Sequence, residues 1–161
     1  MISEMRLTHI ASALQGVLKG SDIRFKGVST DSRHICPGDL FVALIGDRYD
    51  GHDFLDDAST GQASAALVSR YVDSALPQLK VADTRIALGK LASAQRDLFS
   101  GSVVAITGSN GKTTTKEMLA SILSHRSGGI DHVLASRGNY NNEIGVPLTL
   151  LSLRADHEFA V

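Results

Sequence analysis

One segment restricts the possible folds of this chain more than any other: VVAITGSNGKTTTKEM, at residues 103–118. Branched and small residues over 103–107 predict a strand, and residues 112 to about 125 predict a helix. Only a glycine-rich turn separates the two. A strand passing at once into a helix belongs to the alternation that builds a parallel sheet covered by helices. The turn also suits an anion. Gly108 and Gly111 admit backbone angles and close approaches closed to other residues. The N–H groups around the turn and at the helix start can surround phosphate oxygens. Lys112 adds a mobile positive charge for the β and γ phosphates, and the Thr113 hydroxyl adds a ligand for Mg²⁺.

Gly108, Ser109, Asn110, Gly111, Lys112, Thr113 and Thr114 are therefore the candidate ATP-binding loop. Lys112 supplies the charge that phosphoryl transfer requires, and Thr113 is the metal ligand. The common spacing of such loops asks for a glycine five residues before the second glycine, where this chain has Ile106. The assignment rests on strand, turn and helix together. A plain strand-to-helix turn competes with it, but Thr113, Thr114 and Thr115 are weak helix formers and would add little to a bare scaffold.

Upstream, Thr8 reads as the cap of a short helix whose inner face is Ile10, Ala13, Leu14 and Val17, with Gly20 as its end. Ile23, Phe25 and Val28 fit a strand, and a turn at Pro37-Gly38 precedes a buried strand at 40–44. Asp53 is expected to open a helix over 54–58, and short strands follow at 65–68 and 79–81. Asp83 or Thr84 opens a long helix with Ile86, Leu88, Leu91, Ala94, Leu98 and Phe99 inward, stopped by Gly101. The domain boundary is expected within 80–101. Past the phosphate loop, Met118, Leu119, Ile122 and Leu123 are expected to face inward, a strand is expected at 133–135, and a short helix ends near Leu153. Residues 159–161 read as the start of a strand, which suggests a piece of a longer chain whose last strand leaves an edge open.

Sixteen Lys and Arg against seventeen Asp and Glu give a formal net charge of -1, which offers no bulk positive charge for a nucleic acid. The opening residues lack a signal-peptide pattern, and no apolar run is long enough to span a membrane, so the expected location is cytoplasmic, with no membrane insertion. Cys36 stands alone, and none of the six histidines falls at metal-ligand spacing with a cysteine or carboxylate.

Three polar clusters remain. Residues 29–33, STDSR, suit a phosphate or polar ligand, or else a turn held by its own side chains. Residues 46–54 follow a buried strand and carry Tyr49, whose ring could pack on a base or sugar. Residues 138–147 hold Asn139, Asn141 and Asn142, amides that both donate and accept, and Asn141 or Asn142 also suits the cap of the next helix.

Together, STDSR at 29–33, PGDLFVAL at 37–44, DGHDF at 50–54, ITGSNGKTTTKEM at 106–118 and GNYNNEIGVPLTLL at 138–151 resemble the muramoyl-peptide ligase family. These are ATP-dependent enzymes that build the cytoplasmic precursor of peptidoglycan. The likeness spans essentially the whole chain. Its phosphate loop marks only the superfamily, whereas its asparagine-rich segment points to the member that adds a dipeptide. The resemblance implies an α/β fold: a small uridine-nucleotide-binding domain at 1–82, then, at 83–161, a linker helix and the first part of a P-loop parallel-sheet domain. The resemblance also implies a C-terminal ligase domain, which is expected to lie outside these residues.

By the same resemblance, Thr30, Ser32, Asp47, Arg48 and Tyr49 contact the uridine part of the substrate, and Asn139, Asn141 and Asn142 border the nucleotide and muramoyl substrates. The implied cofactors are ATP and Mg²⁺, and the implied substrates are UDP-N-acetylmuramoyl-tripeptide and D-alanyl-D-alanine, used by a monomer. The chemistry implied is phosphorylation of a peptide carboxylate to an acyl phosphate, then attack by an amine. Such chemistry needs positioning and charge more than a protein nucleophile. A family glutamate that binds magnesium is expected just beyond residue 161, so this chain alone is expected not to turn over and to bind MgATP weakly. The competing readings are a different P-loop enzyme, such as a small kinase, and a non-catalytic nucleotide-binding module.

Overall fold

The computed structural model describes residues 4–136, 138 and 141–161. They form two compact units, one ending at Leu91 and the other running from Ala92 to Val161.

The first unit opens with β1 (Met5–Arg6), α1 (Leu7–Leu14), β2 (Val17–Lys19), β3 (Arg24–Phe25), β4 (Gly27–Ser29) and β5 (Asp39–Val42). It continues with a 3-10 turn (Gly51–Phe54), α2 (Leu55–Thr60), β6 (Ala65–Val68), β7 (Gln78–Lys80) and the first turns of α3 (Thr84–Asp97). Its main sheet has the order β2-β7-β6-β5-β4. β4 to β7 are mutually parallel, and β2 is antiparallel to β7. Every residue of β5 and β6 is buried, as expected for parallel strands covered on both faces. On one face Phe41, Ala43, Ala66 and Val68 pack with Leu55 and Ala58 of α2. Leu40, Val42 and Leu67 alternate to the other face and are fully buried there.

Local capping differs from the sequence expectation. Thr8 lies inside α1, and the donor at its start is satisfied by Asp22, whose Oδ1 accepts the Thr8 N–H at 3.1 Å. Nor does Gly20 end this helix: Gln15 does so in a left-handed conformation, and Val17 belongs to β2. The segment at 23–28 is two strands rather than one. Asp50, not Asp53, caps the turn before α2, accepting the His52 N–H at 2.9 Å.

At the start of α3, Asp83 Oδ1 accepts the N–H groups of Arg85 and Ile86, and the Thr84 hydroxyl donates to the Ala43 carbonyl at 2.9 Å. That last bond sets the rotation of the helix. Thr84, Leu88, Leu91 and Gln95 lie inward, while Ile86 and Leu98 are exposed, contrary to the expected stripe. At about 100° per residue, Ile86 sits on the far side from Thr84.

The second unit contains the end of α3, β8 (Ser102–Val103), α4 (Lys112–Arg126), a 3-10 turn (Ile130–His132), β9 (Val133–Leu134), α5 (Gly145–Leu151) and β10 (Phe159–Ala160). Its three strands are parallel in the order β8-β10-β9. The strand expected over 103–107 is short, although the ladder extends to Val104, whose N–H donates to the Ala160 carbonyl. β10 is the central strand, so the open edge expected there is not found, and the edges are β8 and β9. Among the described residues Phe99, Leu153 and Ala160 form a buried cluster, flanked by Leu134 and Leu150. In α4, Leu119 and Leu123 are half-buried as expected, but Met118 and Ile122 are exposed and Lys116 is buried. No described helix is long and apolar enough to cross a membrane.

Candidate functional site

The candidate phosphate loop lies where β8 ends. After Val104 the chain leaves the sheet, runs without regular structure to Gly111 and enters α4 at Lys112. Gly111 caps that helix in the left-handed region, φ +78°, and Gly108 also has positive φ. Nothing lies within 4 Å of a Cβ built on Gly111, so backbone angle rather than crowding calls for glycine there. The first helical bond runs from the Thr115 N–H to the Gly111 carbonyl, so the N–H groups of Lys112, Thr113 and Thr114 open the helix without an intrahelical acceptor. Lys112 Nζ folds back onto the Gly108 carbonyl. Ser109, Asn110, Thr113 and Thr114 are exposed.

Beside this loop is a cavity of about 230 Å³ at the carboxyl ends of the parallel strands. Ligands of open α/β sheets characteristically bind at that edge. Lys112, Thr113, Lys116, Ser136, Asn141 and Val161 are among its lining. Thr113 is the candidate metal ligand on this wall. Among the described residues no group of three or more His, Cys, Asp or Glu is placed to hold a metal.

Asn142 has a structural task. Its Oδ1 accepts the N–H groups of Ile144 and Gly145, at 3.2 and 2.7 Å, at the start of α5. Pro147 fits that helix because it falls in the first turn. Asn141 reaches the cavity, and Asn139 lies outside the described residues.

In the first unit the other candidates follow the carboxyl ends of β4 and β5, neighbouring parallel strands. After β4, the Asp31 carboxylate holds Arg33 through two bonds of 2.8 Å and contacts His34 Nδ1 at 3.1 Å, while Ser29 Oγ accepts the Asp31 N–H. The Arg33 guanidinium, followed by burial working in the opposite direction and further hydrogen bonds, leaves the Asp31 carboxyl well below the usual carboxylate range. This is a turn braced by its own side chains, with Thr30 and Ser32 half-buried in it. After β5, bonds from Gly46 N–H to Tyr49 O and from Gly51 N–H to Leu44 O close a loop that presents Asp47, Arg48 and Tyr49 to solvent. Tyr49 stands edge-on to Phe54, with ring centroids 6.4 Å apart.

Between these loops and β6 lies a network that sequence reasoning missed. The fully buried His52 ring contacts Asp50 Oδ1 through Nδ1 at 2.5 Å, and its Nε2 accepts the Ser69 N–H at 2.9 Å. Ser69 Oγ is 3.2 Å from the same Nε2. The composition is that of a catalytic triad, but a backbone N–H already points at the Nε2 lone pair, so His52 is not placed to activate Ser69. It instead ties the loop after β5 to the end of β6. Arg70 donates to Asp50 Oδ2 at 2.7 Å. Burial raises the Asp50 carboxyl, but bonds from the His52 N–H, Arg70 and the His52 ring outweigh it and bring the carboxyl to about 2. The sequence signal was Asp-Gly-His after a buried strand; the serine partner lies 17 residues away.

A profile of the Mur ligase family, catalytic domain, matches residues 24–96, and one of the Mur ligase middle domain matches 106–161. The chain is 50% identical to the UDP-N-acetylmuramoyl-tripeptide–D-alanyl-D-alanine ligase of Escherichia coli (strain K12), over 100% of the chain and 34% of that relative. It is 45% identical to the ligase of the same name from Haemophilus influenzae, covering 98% of the chain and 35% of the relative. Among solved structures it resembles MurF from Acinetobacter baumannii, with a TM-score of 0.89 and 42% identity over 99% of this chain and 35% of that one. A MurF ligase from Thermotoga maritima in complex with ADP matches with a TM-score of 0.72 and 39% identity, over 84% of this chain and 31% of that one. The chain thus spans about a third of the length of these relatives.

Proposed function

We propose, for a chain that belongs to the Mur ligase family, that the whole protein is an ATP-dependent ligase that joins D-alanyl-D-alanine to UDP-N-acetylmuramoyl-tripeptide in peptidoglycan precursor synthesis. The observation that carries this is the phosphate loop, with Gly111 left-handed and Lys112 opening α4 beside a cavity at the carboxyl edge of a parallel sheet. The relatives named above are ligases of that reaction, which favours this reading over a small kinase or a non-catalytic module. We assign the uridine nucleotide to residues 1–82, through Thr30, Ser32, Asp47, Arg48 and Tyr49, and ATP to the linker helix and sheet unit of 83–161. Asn139, Asn141 and Asn142 border the nucleotide and muramoyl substrates.

ATP supplies the phosphoryl group. The backbone N–H groups of residues 108–114 cradle its phosphates, and Lys112 exchanges the Gly108 carbonyl for phosphate oxygen. The Thr113 hydroxyl, on the cavity wall, would hold Mg²⁺, which would neutralise charge on the transferred phosphoryl group. The protein works in the cytoplasm as a monomer, and the 161 residues alone, about a third of a relative's length, do not turn over.

Phosphate release by the full-length protein, dependent on both UDP-N-acetylmuramoyl-tripeptide and D-alanyl-D-alanine, tests the reading. Lys112→Ala is expected to abolish it at ordinary ATP concentrations with the fold intact. Near-normal turnover by that variant would remove Lys112 from the site, and no substrate-dependent release by the wild type would remove the ligase function.

A further inference from the structure

The phosphate-binding role of α4 does not account for Lys116. One turn beyond Lys112, it is only 6% exposed. Its Nζ donates to the Ser136 carbonyl at 2.6 Å and to the Gly138 carbonyl at 3.4 Å, and lies 3.0 Å from Glu117 Oε1. An ammonium group has three donors, and here three acceptors face it, which is what makes a buried cation tolerable. The two carbonyls stand where the chain leaves β9. The Ser136 N–H still donates to the Val161 carbonyl, at 2.9 Å, as the last bond along β10. Beyond it Lys116 satisfies carbonyls that a neighbouring strand satisfies within the sheet. From there the chain leads to Asn141, on the cavity wall, and to Asn142, which caps α5.

The two lysines of this face differ in kind. Among the described residues Lys112 touches a carbonyl of its own loop and can give it up to a phosphate, whereas Lys116 donates to two carbonyls of a different segment. We infer that Lys116 is a positioning residue that locks Ser136 and Gly138 onto the phosphate-loop helix, holding Asn141 and Asn142 in register with the ATP site. The inference rests on the ligase reading above for its kinetic consequence, though not for its geometry.

Lys116→Met keeps the apolar stem and removes the donors, and Lys116→Arg keeps charge and donors. In the full-length protein, Lys116→Met is expected to raise KM for UDP-N-acetylmuramoyl-tripeptide by about tenfold, with KM for ATP and kcat within about twofold, and Lys116→Arg to recover most of the loss. An equal rise in KM for ATP would make Lys116 a phosphate ligand. A fall in kcat alone would place it at the reacting atoms, and unchanged constants would deny it a role; each overturns the inference. Hydrogen exchange on the 161-residue chain gives a readout independent of turnover. Exchange at Ser136, Ile144 and Gly145, whose N–H groups are hydrogen-bonded, should quicken in Lys116→Met while the amides of β10 keep their protection. If β10 loosens as well, Lys116→Gln, which retains a polar head, takes its place with the same criteria. Should the wild-type protein catalyse no ligation, the ligase reading falls and exchange alone decides: unaltered exchange at those three amides overturns the inference.

Discussion

Two positions show how much of this protein depends on single atoms. His52 Nε2 accepts the Ser69 N–H, so its proton sits on Nδ1 and is donated to Asp50. Asp50 titrates near 2 in the fold, against an ordinary value of 3.8. A carboxyl whose folded value is depressed contributes stability that is present above its unfolded value and is lost as pH falls through the folded one. The contribution of Asp50 should therefore disappear between about pH 4 and about pH 2. Asp50→Asn should be less stable than wild type at pH 5, and the gap should close near pH 2 in urea titrations; a gap independent of pH would show that the charge of Asp50 is not what stabilises the loop. Gly111 gives a second case. A Cβ there meets open space, so Gly111→Ala should cost only the left-handed backbone penalty, about 1–2 kcal/mol. A loss well above that in thermal unfolding would mean that the loop is packed more tightly than its surroundings indicate.

Elements are set by side chains that sequence neighbours do not reveal. α1 begins on Asp22, which accepts the Thr8 N–H and hydroxyl and pairs with Arg6 at 3.0 Å. Asp22→Ala should therefore lower the stability of the first unit, as loss of a helix cap does, and Thr8→Ala should lower it less, because the backbone bond survives. Equal losses in denaturant titration would return the capping role to Thr8. The rotations of α3 and α4 follow the same logic: a hydroxyl on Ala43 and an ammonium on Ser136 and Gly138 turn Ile86, Met118 and Ile122 outward.

At the scale of the whole chain, the two units differ in how much they bury. The first has a five-stranded sheet with both faces of β5 and β6 covered, whereas the second has a three-stranded sheet, and among its described residues Phe99, Leu153 and Ala160 form a small buried cluster. Local opening follows buried apolar contact, so β5 and β6 should exchange slowly and residues 103–161 faster. Uniform protection across both, with micromolar binding of MgATP, would show that the second unit needs nothing more. NMR titration of the chain with UDP-N-acetylmuramoyl-tripeptide is expected to perturb residues 28–50. Perturbation confined to residues beyond 101 would sink the uridine assignment.

From the sequence alone, the α/β class, the buried strands at β5 and β6, the glycine-rich turn at 108–111 and the helix after it could be read. These features are local: a run of apolar residues, a pair of glycines, a lysine at a helix start. The bracing of the turn at 29–33 was open as one of two readings for the same reason, its partners lying within a few residues of each other. What the tertiary structure alone decided involves partners distant in the chain. Asp22 caps a helix 14 residues back, Ser69 meets His52 across 17, and Lys116 reaches Ser136 across 20. β10 became a central strand because β8 and β9, earlier in the chain, flank it. Hydrophobic periodicity identifies the apolar stripe of a helix but not its final rotation, since a single buried polar bond outweighs the small difference between adjacent apolar stripes.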